Sequence, residues 1–128
     1  KGPTRYSKGY KVREELSTTS GNGQTLALML ERLGYVVIRE IDRDIEQFEL
    51  GRAVLRIERY PRMDVLLEVE GTPKAIESAI AQAGIPRADF SSDRLPEFIF
   101  RYEQRTGARA AICTRELSGD YRYSVTDA

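Results

Sequence analysis

Two neighbouring stretches, residues 53–60 and 65–70, alternate apolar and charged side chains with a period of two, and this constrains the fold more than anything else in the chain. Successive side chains of a strand point to opposite sides. In residues 53–60 that puts Val54, Arg56, Glu58 and Tyr60 on one face and Ala53, Leu55 and Ile57 on the other. In Leu66-Leu67-Glu68-Val69-Glu70-Gly71, Leu67 and Val69 stand opposite Glu68 and Glu70. Each strand thus has a face to bury and a face that carries charge. Glu68 and Glu70 project the same way, about 7 Å apart along the strand.

Helical signals flank these strands. Leu26, Met29, Leu30 and Leu33 recur at helical spacing, and Gly34 is placed to end that helix in the left-handed conformation. Thr72 and Pro73 open a second helix with Ile76, Ala79, Ile80 and Ala83 as its buried stripe and Gly84 as its end. A third, capped by Ser92 or Asp93, buries Leu95, Phe98, Ile99 and Tyr102 and stops at Gly107. Its apolar residues read as core rather than as a cofactor box. Residues 9–17 alternate loosely and predict a strand, with Tyr10 and Val12 on one side and Lys11, Arg13 and Glu15 on the other. Residues 36–38 restart β-type sequence. The charged, extended stretch through Asp42, Asp44, Glu46 and Phe48 ends at a Leu50-Gly51 turn. Residues 115–128 are polar and predict a weak hairpin or a disordered tail.

The totals narrow the function classes. A chain of 128 residues, 41% hydrophobic, supports one core. Twenty basic and twenty acidic residues cancel, so net charge gives no case for nucleic acid or an anionic membrane as partner. The Tyr121-Arg122-Tyr123 alternation reads as ordinary strand rather than a stacking patch for bases. No apolar run approaches the roughly 20 residues of a membrane span, and residues 1–10 lack the apolar core of a signal peptide. A soluble, cytoplasmic protein is expected. The start at Lys1-Gly2-Pro3, without Met, reads as that of a piece of something longer. Cys113 is the single cysteine, so there is no intrachain disulfide, and a buried thiol is expected. The absence of histidine removes Ser-His and Cys-His nucleophiles, histidine acid/base catalysis and His-rich zinc sites. A metal here would take oxygen ligands, which suit Mg²⁺, Mn²⁺ or Ca²⁺.

Lys11, Arg13, Glu15, Arg43, Arg56, Glu58, Glu68 and Glu70 all fall on expected strands and mix both signs. Taken one strand at a time, a solvated charged face explains each of them. Taken together, they converge if the sheet curls on itself. A barrel with a charged lumen suits a polyphosphate and its cation, because guanidinium and ammonium groups pair with phosphate oxygens while carboxylates hold the metal.

Lys1-Gly2-Pro3, Lys11-Val12-Arg13-Glu14-Glu15, Leu33-Gly34-Tyr35 and Leu66 through Gly71 follow one another in an order that resembles the CYTH family. The likeness extends through residues 76–84 and from Leu95-Pro96-Glu97-Phe98 to Tyr102-Glu103-Gln104-Arg105-Thr106-Gly107. That family includes class IV adenylyl cyclases, thiamine triphosphatases and inorganic triphosphatases. The resemblance implies an α+β fold, an antiparallel β-barrel of about eight strands forming a triphosphate tunnel with flanking helices. It would span residues 1–112, with 113–128 as a tail. It implies Lys1, Arg13 and Arg43 as lumen cations for phosphate, Glu15 pointing into the same space, and Glu58, Glu68 and Glu70 as ligands of Mg²⁺ or Mn²⁺. No residue is assigned a catalytic role. The implied partner is a triphosphate-containing small molecule: ATP, thiamine triphosphate or tripolyphosphate. A homodimer is compatible with the reading.

Three departures from the family pattern matter. The Glu-x-Glu-x-Lys of its first strand and the following Arg-x-Arg belong before Lys1. Ile45 stands where a second basic residue is usual after Arg43, and Glu58 replaces an Asp, which moves its oxygens by about 1.5 Å. Water as the attacking group would make a triphosphatase, and the ribose 3′-hydroxyl of ATP a cyclase. The alternative is a non-catalytic module of the same fold that binds a polyphosphate or phosphorylated ligand. A structural α+β domain with solvated charged faces is the remaining reading.

Overall fold

The computed structural model of the chain describes residues 1–119. Among the described residues, two antiparallel sheets and four α-helices make an α+β fold. The expected strand at residues 9–17 is instead a short hairpin, β1 (Arg5–Ser7) paired with β2 (Tyr10–Val12). Its two turn residues, Lys8 and Gly9, both have positive φ, the requirement of a tight turn whose twist matches that of the strands. Lysine rarely signals such a turn, so β1 before it went unread, and the strand after it stops at Val12 rather than continuing to residue 17.

The larger sheet has the order β3 (Asp44–Leu50), β4 (Ala53–Arg59), β5 (Leu66–Glu70). Its first hairpin closes between Leu50 and Ala53 around Gly51, whose φ of 64° a side chain would strain. Register fixes the faces. Leu55 pairs with Phe48 on one side and Val69 on the other, while Arg56 pairs with Gln47 and Glu68. The apolar face is covered by α2 (Pro73–Ala83), where Ala53, Leu55 and Ala79 form a buried cluster joined by Leu50, Leu67, Val69 and Ala75. Thr72 caps α2 with its hydroxyl, Pro73 follows, and Gly84 ends it in the left-handed conformation, as the sequence predicts.

A second cluster forms under α3 (Leu95–Thr106): Ile99, Ala110 and Ile112, with Tyr60, Met63, Leu95 and Tyr102 against them. Reciprocal backbone bonds between Arg62 and Ala111, 3.0 and 2.8 Å, tie this cluster to the chain leaving β4. Arg94, rather than Ser92 or Asp93, caps α3, with the Glu97 carboxylate returning to the Arg94 amide at 3.0 Å. Asp93 is drawn off by Arg101 at 2.7 Å. Within the expected hairpin or tail, a short helix α4 (Thr114–Ser118) begins after the fully buried Cys113. The Thr114 amide donates to the Asp42 carboxylate, 2.8 Å, which holds that carboxyl below the usual aspartate range. Tyr121-Arg122-Tyr123 lies outside the described residues.

Among the described residues the strands form two open sheets, with β3 and β5 as free edges of the larger one, and no closed barrel. Closure requires every edge to be paired. Residues 36–38 join no strand, and α1 (Gly23–Arg32) has no buried residue. Among the described residues no helix is long and apolar enough to cross a membrane.

Candidate functional site

The pairing of β4 with its neighbours brings the predicted charged residues onto one face of the larger sheet. Glu58 lies opposite Ile45 and Leu66, Arg56 opposite Gln47 and Glu68, and Val54 opposite Glu49 and Glu70. Directly opposed residues project to the same side. Glu58, Arg56, Glu68 and Glu70 therefore share the face turned away from α2.

Two ion-pair groups occupy this face. In the first, Glu58 is 4% exposed and accepts from the Arg43 guanidinium at 2.7 Å and from the Tyr60 hydroxyl at 2.6 Å. The carboxylate is thus buried with both oxygens satisfied, the condition under which a buried charge is tolerated. Burial, reinforced by the bond to Glu58, pushes the Tyr60 phenol well above the usual tyrosine range. In the second, Arg56 Nη1 lies 2.6 Å from Glu70 and 3.5 Å from Glu68, while its Nε donates to Gln47 at 3.0 Å. One guanidinium therefore bridges the two glutamates that the Glu-x-Glu spacing singles out. Arg59 and Glu46 pair on the opposite face.

Lys1, Arg13 and Glu15 form a third group beside the small hairpin. Lys1 Nζ lies 2.7 Å and Arg13 3.5 Å from the Glu15 carboxylate, and the bond from Lys1 holds Glu15 below the usual carboxylate range. The hairpin is tethered to α2 by the Tyr10 hydroxyl, which donates to Glu77 at 2.7 Å. Among the described residues no ion pair joins this group to Arg43, Arg56 or their carboxylates.

The Mg²⁺ or Mn²⁺ that the resemblance implies needs several carboxylate oxygens at one point. Glu70 pairs with Val54, four residues along β4 from Glu58, which separates those two by about 13 Å. Glu58 is committed to Arg43 and Tyr60, and Glu68 and Glu70 to Arg56. Among the described residues no group of three or more His, Cys, Asp or Glu side chains is placed to hold a metal ion. The donor set in this arrangement is neutralised by arginine and does not fit a cation.

Arg56, one of the strand charges expected to converge, and Tyr60, which the sequence reading did not include among them, complete the site. Their signal is parity: residues 56, 58 and 60 share the face of Glu58. The buried Cys113 and the buried Ile99 match their sequence-based expectations. Comparisons with protein-family models, with curated proteins and with solved structures each return no match.

Proposed function

We propose that the charged face of the β3–β4–β5 sheet binds a triphosphate-containing small molecule, with Arg43 and Arg56 as its cations. The observation that supports this most is the presentation of the two arginines. Each is partly exposed, on one face of one sheet, and held in place by carboxylates rather than left to swing in solvent. A planar guanidinium fixed in this way is suited to the paired oxygens of a phosphate. A polyphosphate, with several negative charges, competes with the two partly exposed carboxylates of Glu68 and Glu70 for Arg56, whereas Arg43 keeps its buried partner and lends its remaining N–H groups. In this reading the sheet is one wall of a triphosphate tunnel, and ATP, thiamine triphosphate and tripolyphosphate are the ligand class.

A second reading, a Mg²⁺- or Mn²⁺-dependent adenylyl cyclase or triphosphatase, draws on the placement of Glu58, Glu68 and Glu70 on the same face. In the arrangement described above, those carboxylates are occupied by arginine and tyrosine.

Calorimetric titration with tripolyphosphate, with and without Mg²⁺, tests both. The first reading predicts binding in the absence of metal, weakened by roughly tenfold to a hundredfold in Arg56→Ala, the loss of one charge-assisted hydrogen-bond set. Product formation from ATP, thiamine triphosphate or tripolyphosphate on adding Mg²⁺ or Mn²⁺ selects the second. Neither heat nor product with any of the three would remove both.

A further inference from the structure

We propose that the small hairpin, β1 with β2, is a binding site for single-stranded nucleic acid. The formal charge of the chain is zero, yet its charges are unevenly spread: residues 1–13 contain Lys1, Arg5, Lys8, Lys11 and Arg13 and no acidic residue. Glu15 engages Lys1 and Arg13. Arg5, Lys8 and Lys11 are exposed and have no ion pair among the described residues. Unpaired cations gathered on one element attract a phosphate backbone and release its counterions, whatever the net charge of the whole chain.

The register decides which side of the hairpin is available. Opposed residues project to the same side and successive ones to opposite sides. Ser7 pairs with Tyr10 and Tyr6 with Lys11, so Tyr10 points one way and the Tyr6–Lys11 pair the other. The Tyr10 hydroxyl donates to Glu77 at 2.7 Å, which turns its side toward α2. Tyr6 and Lys11 therefore face away from the helix, with Lys8 at the turn.

Tyr6 selects the partner. It is 59% exposed and stands directly opposite Lys11, their Cβ atoms about 5 Å apart. An exposed aromatic ring flanked by cations is a platform on which an unstacked base lies while the cations hold the adjoining phosphates. The bases of a duplex are already stacked on one another, and a lipid headgroup offers no flat ring to lie on tyrosine. A single strand uses both parts of the surface.

Fluorescence anisotropy tests the proposal, with the full chain titrated into a labelled oligothymidylate of about twelve nucleotides, within the ~4–16 that one small binding fold covers. Saturable binding is expected, with log K falling against log salt at a slope between about −1.4 and −2, since each phosphate neutralised contributes ~0.7 and Lys8 and Lys11 engage two, or three with Arg5. Tyr6→Ala should weaken binding at least about fivefold, the low end of a lost base stack, while Tyr6→Phe keeps the ring and should bind as wild type. Lys8→Ala combined with Lys11→Ala should flatten the slope to about −0.7 or less. All three positions are exposed, and an unchanged circular dichroism spectrum checks that the variants fold. No saturable binding, an equal loss in Tyr6→Ala and Tyr6→Phe, a slope unchanged by the paired lysine substitutions, an affinity for the matching duplex as high as for the single strand, or tighter association with phosphatidylserine vesicles than with the oligonucleotide overturns it.

Discussion

Replacing Glu58 tests the physical core of the charged face. The carboxylate is 4% exposed and accepts from Arg43 at 2.7 Å and Tyr60 at 2.6 Å. Glu58→Ala removes both acceptors and leaves a guanidinium and a half-buried phenol without their partner. Breaking a fully buried pair costs about 3–5 kcal/mol, but the Arg43 side chain is 37% exposed and regains water. The loss is therefore about 2–3 kcal/mol, which for a domain of this size lowers Tm by roughly 10 °C. Glu58→Gln keeps an acceptor for Arg43 and loses only the charge, so about 1 kcal/mol is expected. Glu68→Ala removes an exposed carboxylate 3.5 Å from Arg56 and should change stability by no more than ~0.5 kcal/mol. Urea unfolding followed by circular dichroism, all variants at one protein concentration, measures the three differences. If Glu58→Ala falls within 0.5 kcal/mol of wild type, on the order of an exposed pair, the buried network is not a structural element and the reasoning fails.

Two further perturbations probe the supports of the sheet. Gly71, at φ 154°, holds the turn from β5 into α2, where a Cβ would meet the Arg52 carbonyl at 3.2 Å and Ala75 at 3.4 Å; Gly71→Ala is expected to cost about 1–3 kcal/mol by urea unfolding, and a neutral result would show that the turn relaxes freely. The Asp42 carboxyl is lowered by the Thr114 amide, so its contribution is fully present above the ordinary aspartate pKa of about 3.9 and is lost as pH falls through the lower folded value. Hydrogen exchange at the Thr114 amide should therefore quicken, relative to its intrinsic rate, only in that acidic window; protection unchanged down to pH 2, on the order of two units below that pKa, would contradict the assignment.

How much was legible in the sequence follows from how local each signal is. Thr72, Pro73 and Gly84 bound α2 because cap, first-turn proline and left-handed end are each decided by neighbouring residues. The two-residue alternation of β4 and β5 likewise gave the faces, since a shared register keeps Arg56 with Glu68. Pairing between side chains was not legible. The alternation shows that Arg56, Glu68 and Glu70 face the same way, but only the register shows one guanidinium between two carboxylates. The start of α3 moved to Arg94 because Arg101, eight residues on, competes for the Asp93 side chain. α4 went unread because its anchor, Asp42, is 72 residues away in sequence from Thr114.

The proposed binding of a triphosphate ligand to the charged face of the larger sheet can be followed through the arginine side-chain N–H resonances as tripolyphosphate is added. Saturable shifts of the Arg43 and Arg56 signals are expected, with the Arg59 signal on the opposite face unmoved. Shifts confined to Arg13 beside the small hairpin, uniform small shifts of every arginine, or none at all would contradict it.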